Sequence, residues 1–214
     1  MKTYTILAVL WLCICPIQAQ KTIEKHISFS GKNALTLKIQ IADSIKIKTW
    51  DKNEVYLKAS VNINENKDNE AYLTSFDDSG NSVVVDAKFK DNYFKGRNNN
   101  CCNQSLIYWE VYMPEKTRFS VETINADVTI TGQTKEMKVK SISGYIDLAV
   151  PANKQADLDF STISGRMYSN HNLAPTQMHS GVPLKISEKL NSGGDPIKLE
   201  TISGDIFFRK SGAN

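Results

Sequence analysis

Four eight-residue phrases, "TINADVTI" from Thr123, "SISGYIDL" from Ser141, "TISGRMYS" from Thr162 and "TISGDIFF" from Thr201, share two positions whose side chains could do chemistry. Three residues after the isoleucine stand Asp127, Tyr145, Arg166 and Asp205; five after it stand Thr129, Asp147, Tyr168 and Phe207. If the phrases stack, carboxylates come near each other, and two carboxyls about 5 to 10 Å apart are what glycoside hydrolysis requires. The bland reading of an outward charged column is a solvated face. The aromatics suggest other chemistry: Tyr145, Tyr168 and Phe207 would form a strip able to receive a sugar ring.

A second candidate is the polar loop at 91–105, which carries Tyr93, Phe94, Arg97 and the adjacent pair Cys101 and Cys102. Loops held on a rigid scaffold often carry recognition. Neighbouring cysteines close only a strained ring, so the pair is a vicinal disulfide, two free thiols or bridges to another chain. His26, His171 and His179 have no spacing relation to it, and no metal or other cofactor is expected. The chain has no G-x-S-x-G, no H-E-x-x-H, no phosphate-binding glycine loop and no calcium-binding nonapeptide. Catalysis is therefore the secondary reading, that of a carbohydrate-active β-helix enzyme; binding is the primary one.

Strands must position these residues. With the phrases aligned on Ile124, Ile142, Ile163 and Ile202, apolar columns fall five before (Phe119, Met137, Leu158, Ile197) and three before (Val121, Val139, Phe160, Leu199). Others fall four after (Val128, Ile146, Met167, Ile206) and six after (Ile130, Leu148, Ser169, Phe208), the last with one polar exception. Each arm alternates with period two, which a helix cannot satisfy. Between the arms the alternation slips, and Gly144, Gly165 and Gly204, with Ala126 in the first copy, mark a sharp corner. The Ser or Thr before each isoleucine can bond the corner backbone.

The copies lie 18, 21 and 39 residues apart. The first two separations suit one turn of a β-solenoid, in which a coil buries its apolar columns only against its neighbours. The third spans two turns, so residues 170–196 are expected to hold a degraded coil around "VPLKIS" with an irregular loop. The tail at Arg209 and Lys210 could cap an end of the stack. Upstream, "LTLKIQIADSIKIKTW" at 35–50, "EVYLKASVNI" at 54–63, "NSVVVDAKF" at 81–89 and "LIYWEVYMP" at 106–114 alternate without the phrase, and 64–76 reads as a short helix or exposed turn.

Residues 1–19 read as a secretory signal peptide: Lys2, an apolar stretch from Ile6 to Ile14, then Pro16 and Ala19. Without them the net charge falls from +3 to about +2, with both signs interspersed, which together with export argues against nucleic acid as a partner. No other apolar run is long enough for a membrane helix.

The run "SIKIKTWDKNEVYLKASV", then "EVYMPEKTRFSVETINADVTITG", then the repeated "ISG" corners resembles a bacterial domain-of-unknown-function family labelled putative adhesin, over residues 30–210. The resemblance implies a β-solenoid or β-helix-like protein at the cell envelope and supplies no catalytic motif. The expectation is thus one all-β domain over 20–214, a β-solenoid of coils of about 20 residues with a less regular N-terminal half. Its role would be that of an exported, non-catalytic binding or structural module. Its partner would be an envelope glycan or another envelope protein.

Overall fold

In a computed structural model of the chain, residues 20–95, 104–173 and 184–212 are described. The expected signal peptide, Arg97, Cys101 and Cys102 lie outside the described residues.

The alternating segments form the strands β1 (Lys21–Ser28), β2 (Ala34–Ile39), β3 (Ile41–Trp50), β4 (Glu54–Ile63), β5 (Tyr72–Asp77), β6 (Ser82–Phe89), β7 (Ser105–Pro114) and β8 (Arg118–Thr131). They continue with β9 (Met137–Ser143), β10 (Ile146–Val150), β11 (Ala156–Thr162), β12 (Met167–Ser169), β13 (Leu184–Leu190), β14 (Asp195–Ser203) and β15 (Ile206–Lys210). The charged run after β4 becomes a turn and a single 3-10 turn, Asn69–Ala71. The protein is all-β.

The strands form one hydrogen-bonded network that folds along a corner into two wings. The first wing runs β5, β6, β2, the first half of β8, β9, β14, β11, β13. The second runs β1, β4, β7, β3, the second half of β8, β10, β15, β12. The fourteen residues of β8 pass through the corner and belong to both. The inner faces of the wings meet in one apolar core, which holds nearly all of the columns read from the sequence. Contacts between the wings fix their spacing: the Phe160 and Phe208 rings meet edge-on at 5.3 Å. Trp109 Nε1 donates to the Tyr72 hydroxyl at 3.1 Å, and that hydroxyl donates to the Ile41 carbonyl at 3.1 Å. Each polar atom in this buried chain has its partner, as low-dielectric surroundings demand.

The coils stack in parallel register, but not in chain order. Phe119 faces Met137, Met137 faces Ile197, and Ile197 faces Leu158. The fourth copy thus lies between the second and third. The cause is β13, which stands in place of the expected degraded coil. It is a single strand running antiparallel to β11 on its outer side. The turn that follows carries the chain past β11 into β14 on its inner side. Gly193, at φ +74°, allows that passage; a Cβ there would meet the Asp157 carboxylate at 2.6 Å. Arg209 and Lys210 consequently sit inside the stack on β15, and the expected cap role does not hold: Arg209 pairs with Asp147 of the adjacent coil.

The corner residues explain the repeated phrase. A Cβ on Gly165 would lie 1.9 Å from the Gly204 carbonyl oxygen, and one on Gly204 would lie 2.0 Å from that of Gly144. The glycines are thus required by close stacking of one corner on the next. Ala126 faces β3 where its register shifts between Ile41 and Ser44, and it tolerates a methyl there, buried. Three of the four hydroxyls behave as read: Thr123 Oγ1 donates to Gln40 O at 3.3 Å, Ser141 Oγ to Ser143 O at 2.7 Å and Thr162 Oγ1 to Gly204 O at 3.0 Å, whereas Thr201 Oγ1 is buried without a hydrogen-bond partner among the described residues. The isoleucines of the phrase are outside the core. Ile124, Ile142, Ile202 and Ile163 line the corner at 43–49% exposure.

Candidate functional site

Stacking order decides which outward residues become neighbours. Across the second wing, Asp147 of β10 faces Phe207 of β15, which faces Tyr168 of β12. The Tyr168 and Phe207 rings stack with centroids 5.1 Å apart and planes 11° apart. Tyr145 meets Phe207 edge-on at 6.0 Å. Because β12 hydrogen-bonds only to β15 among the described strands, the outer ring face of Tyr168 has no strand beside it. Tyr145, Phe207 and Tyr168, distributed over sixty-odd residues of chain, thus form one cluster, with Tyr168 43% exposed.

Polar groups border it. Arg209 Nε donates to Asp147 Oδ1 at 2.8 Å and its second nitrogen reaches Oδ2, a forked pair that holds the guanidinium above its ordinary pKa. A hydrogen bond to the Tyr168 hydroxyl likewise raises Arg166. The carboxylate column serves the scaffold. Asp127 Oδ1 accepts the Tyr145 backbone N–H at 3.2 Å, and Asp205 Oδ1 accepts that of Arg166 at 2.8 Å. These carboxylates, two strand spacings or about 10 Å apart, tie each coil to the next just after the corner.

The loop candidates lie elsewhere. Tyr93 stacks on Phe89 at 5.1 Å and its hydroxyl donates to Asp68 Oδ2 at 3.1 Å, which fastens the segment after β6 to the turn after β4. Phe94, 53% exposed, packs against Phe89 and Tyr93 at 4.9 and 5.0 Å. The structure does not bring these two to the Tyr145, Phe207 and Tyr168 cluster.

A second aromatic cluster on the same outer face escaped sequence reasoning. Trp50 of β3, Tyr112 of β7, Tyr56 of β4 and His26 of β1 form a continuous row of tilted rings. Centroid distances are 5.3 Å for Trp50 and Tyr112, 6.0 Å for Tyr112 and Tyr56, and 4.7 Å for Tyr56 and His26. The Lys52 ammonium lies 4.7 Å from the Trp50 ring centre. Alternation in "KIKTW", "EVYL" and "WEVYM" does put these aromatics on outward positions. Nothing in one sequence says that β3, β4 and β7 lie side by side.

Among the described residues, no group of three or more His, Cys, Asp or Glu side chains could hold a metal ion, and no helix is long and apolar enough to cross a membrane.

Residues 124–208 match the family model described as Toastrack DUF4097. A solved putative cell adhesion protein from Clostridium sporogenes is 12% identical over 90% of this chain and 100% of its own, with a TM-score of 0.60, and shares the fold. A putative adhesin from Bacteroides fragilis aligns at 11% identity over 91% of this chain and 99% of its own, with a TM-score of 0.35. A putative lipid binding protein from Parabacteroides distasonis aligns at 12% identity over 90% and 97%, with a TM-score of 0.30. No curated protein matches the chain. The stacked ISG corners, residues 124–208, are the part of the chain that matches the Toastrack DUF4097 family, in line with the resemblance of those corners to a bacterial putative-adhesin family of unknown function.

Proposed function

We propose that this protein is an exported, non-catalytic binding module of the bacterial cell envelope, and that the cluster of Tyr145, Phe207 and Tyr168 receives a sugar ring of an envelope glycan. The observation that carries this reading is the parallel pair of half-buried Phe207 and exposed Tyr168 at the rim of the second wing, beside Arg166 and the Asp147–Arg209 fork. An aromatic face offers a sugar's C–H surface an apolar contact, and flanking donors and acceptors orient its hydroxyls. The match of residues 124–208 to the Toastrack DUF4097 family model and the fold shared with a putative cell adhesion protein support binding over catalysis. The column that could have served hydrolysis supports it too, because Asp127 and Asp205 are engaged by backbone N–H groups.

A glycan array probed with residues 20–214 tests the proposal, with the Tyr168→Ala/Phe207→Ala double variant beside it. Binding by the parent that drops at least tenfold in the variant is the expected result. Absence of binding by the parent, or equal binding by both, overturns it.

A further inference from the structure

Two aromatic clusters on one face raise the question of whether they act on one ligand. Both point outward from the second wing, since Trp50, Tyr56 and Tyr112 alternate with the buried Ile47, Val55, Leu57, Val111 and Met113, as Phe207 does with Ile206 and Phe208. Registers relate them directly. Tyr112 faces Lys48, Lys48 faces Thr131, Thr131 faces Ala149, and Ala149 faces Arg209, the residue two along β15 from Phe207. Tyr112 and Phe207 are therefore four strands apart, and Tyr112 and Tyr168 five. At about 4.8 Å per strand, and one residue pair of about 6.7 Å along the strand, the clusters are separated by roughly 20 to 25 Å.

The surface between them is low and polar. On β8 and β10 it presents Thr129, Thr131 and Asp147, with Ala149 buried beside them and no large ring. On β3 it presents Lys46, which faces Glu110 of β7, and Lys48, which faces Tyr112 and Thr131; both carry ammonium donors on flexible stems. Aromatic ends with a hydroxyl-rich, donor-bearing floor suit a linear ligand whose apolar ring faces and hydroxyls recur along its length. The strand spacing is close to the length of one pyranose unit, about 5 Å, so the separation corresponds to four or five linked sugars.

We infer that the two clusters are the end subsites of one elongated site, and that the ligand is a linear glycan of at least four to five units lying across the strands of the second wing. This rests on the glycan reading of Tyr168 and Phe207 and adds a length class and a second anchoring point. Joining two weak subsites through one ligand raises affinity well beyond either alone. The inference therefore predicts a step in affinity with chain length.

The test is calorimetric titration with β-linked oligosaccharide ladders of two to eight units, from cellulose, chitin and xylan and from any array hit. The Trp50→Ala/Tyr112→Ala and Tyr168→Ala/Phe207→Ala variants are titrated in parallel, with circular dichroism to confirm the fold of each. The expected outcome is an affinity gain of tenfold or more between three and six units, abolished by either variant, with short oligosaccharides still bound by Trp50→Ala/Tyr112→Ala and weakened at least tenfold by Tyr168→Ala/Phe207→Ala. Equal affinity for disaccharide and octasaccharide, or indifference of long chains to Trp50→Ala/Tyr112→Ala, overturns the elongated site and leaves the single-ring reading standing. No binding of any ladder by the parent overturns both.

Discussion

The two wings share their corners and core but differ in what they show to solvent. Across the first wing, Asp86, Lys38, Glu122, Lys140 and Glu200 stand side by side in one row, alternating in sign at every strand. Lys198 is held above its ordinary pKa first by its hydrogen bond to Glu200 and then by the charges of Glu200 and Asp159, which make this wing a mesh of opposite charges. The second wing has such a row on one side, Glu24, Lys58, Glu110 and Lys46, and carries two aromatic clusters besides. The same coil thus builds one face that is well solvated and resists pairing with other chains, and another with surface left for recognition. Inward columns are dictated by packing and repeat; outward columns are free to diverge.

The largest effect is expected where both wings depend on one atom. Gly204→Ala forces a Cβ to within 2.0 Å of the Gly144 carbonyl oxygen, and should lower unfolding free energy by about 3 kcal/mol or more. Ala126→Gly at the equivalent place should cost under about 1 kcal/mol. Chemical denaturation of the two variants checks this; equal losses would mean that corner stacking is not what the glycines serve.

Next comes the contact between wings. Tyr72→Phe leaves Trp109 Nε1 without its acceptor and Ile41 O without its donor, with an expected loss of about 1 to 3 kcal/mol. A loss near zero in urea titration would show the wings to be held by apolar packing alone. The double change Tyr168→Ala/Phe207→Ala should have the opposite profile, a tenfold or greater loss of glycan binding with little change in melting temperature.

A reversal in the first wing should do the least. Lys140→Glu puts three like charges abreast with Glu122 and Glu200, for a loss under about 1 kcal/mol and no change in binding. A binding change there would erase the distinction between the faces.

Acid sharpens the comparison at the edge of the core. His171 is buried against Phe208 at 4.4 Å, and desolvation lowers its pKa below the ordinary value of 6.5. The folded protein then binds a proton less readily than the unfolded chain. Stability is full above pH 6.5 and declines as pH falls below it towards the folded value. His171→Phe should flatten that part of the curve, as melting temperatures at pH 7.5 and 5.5 would show.

Much of the fold was legible because burial imposes period two. β4 is the segment read as 54–63, and nearly all of the columns from Phe119 to Phe208 are core. The corner could be read because glycine and hydroxyl recur there. Two things were not legible. The place of the isoleucines was one: apolar by type, they stand exposed at the corner, outside the core. Spatial order was hidden too, since equal copies carry no label of rank, and an antiparallel β13 has the same alternation as a coil arm. The cluster of Tyr145, Phe207 and Tyr168 was found because its members share a phrase. Trp50, Tyr56 and Tyr112 share none, and only the pairing of β3, β4 and β7 unites them.

The inversion of coil order also constrains how the molecule can assemble. Among the described strands, β11 hydrogen-bonds only to β13 and β14, and β12 only to β15, so the third copy has no place in the parallel stack until the fourth arrives. A growing chain cannot zip this half up coil by coil. It must hold β11 and β12 in waiting, with Phe160 uncovered, until a later segment slides in as a keystone. Ligation of a mechanical handle after β15 would give that arrangement a signature: the first strands to yield would come from the middle of the stack, and everything beyond them would leave together.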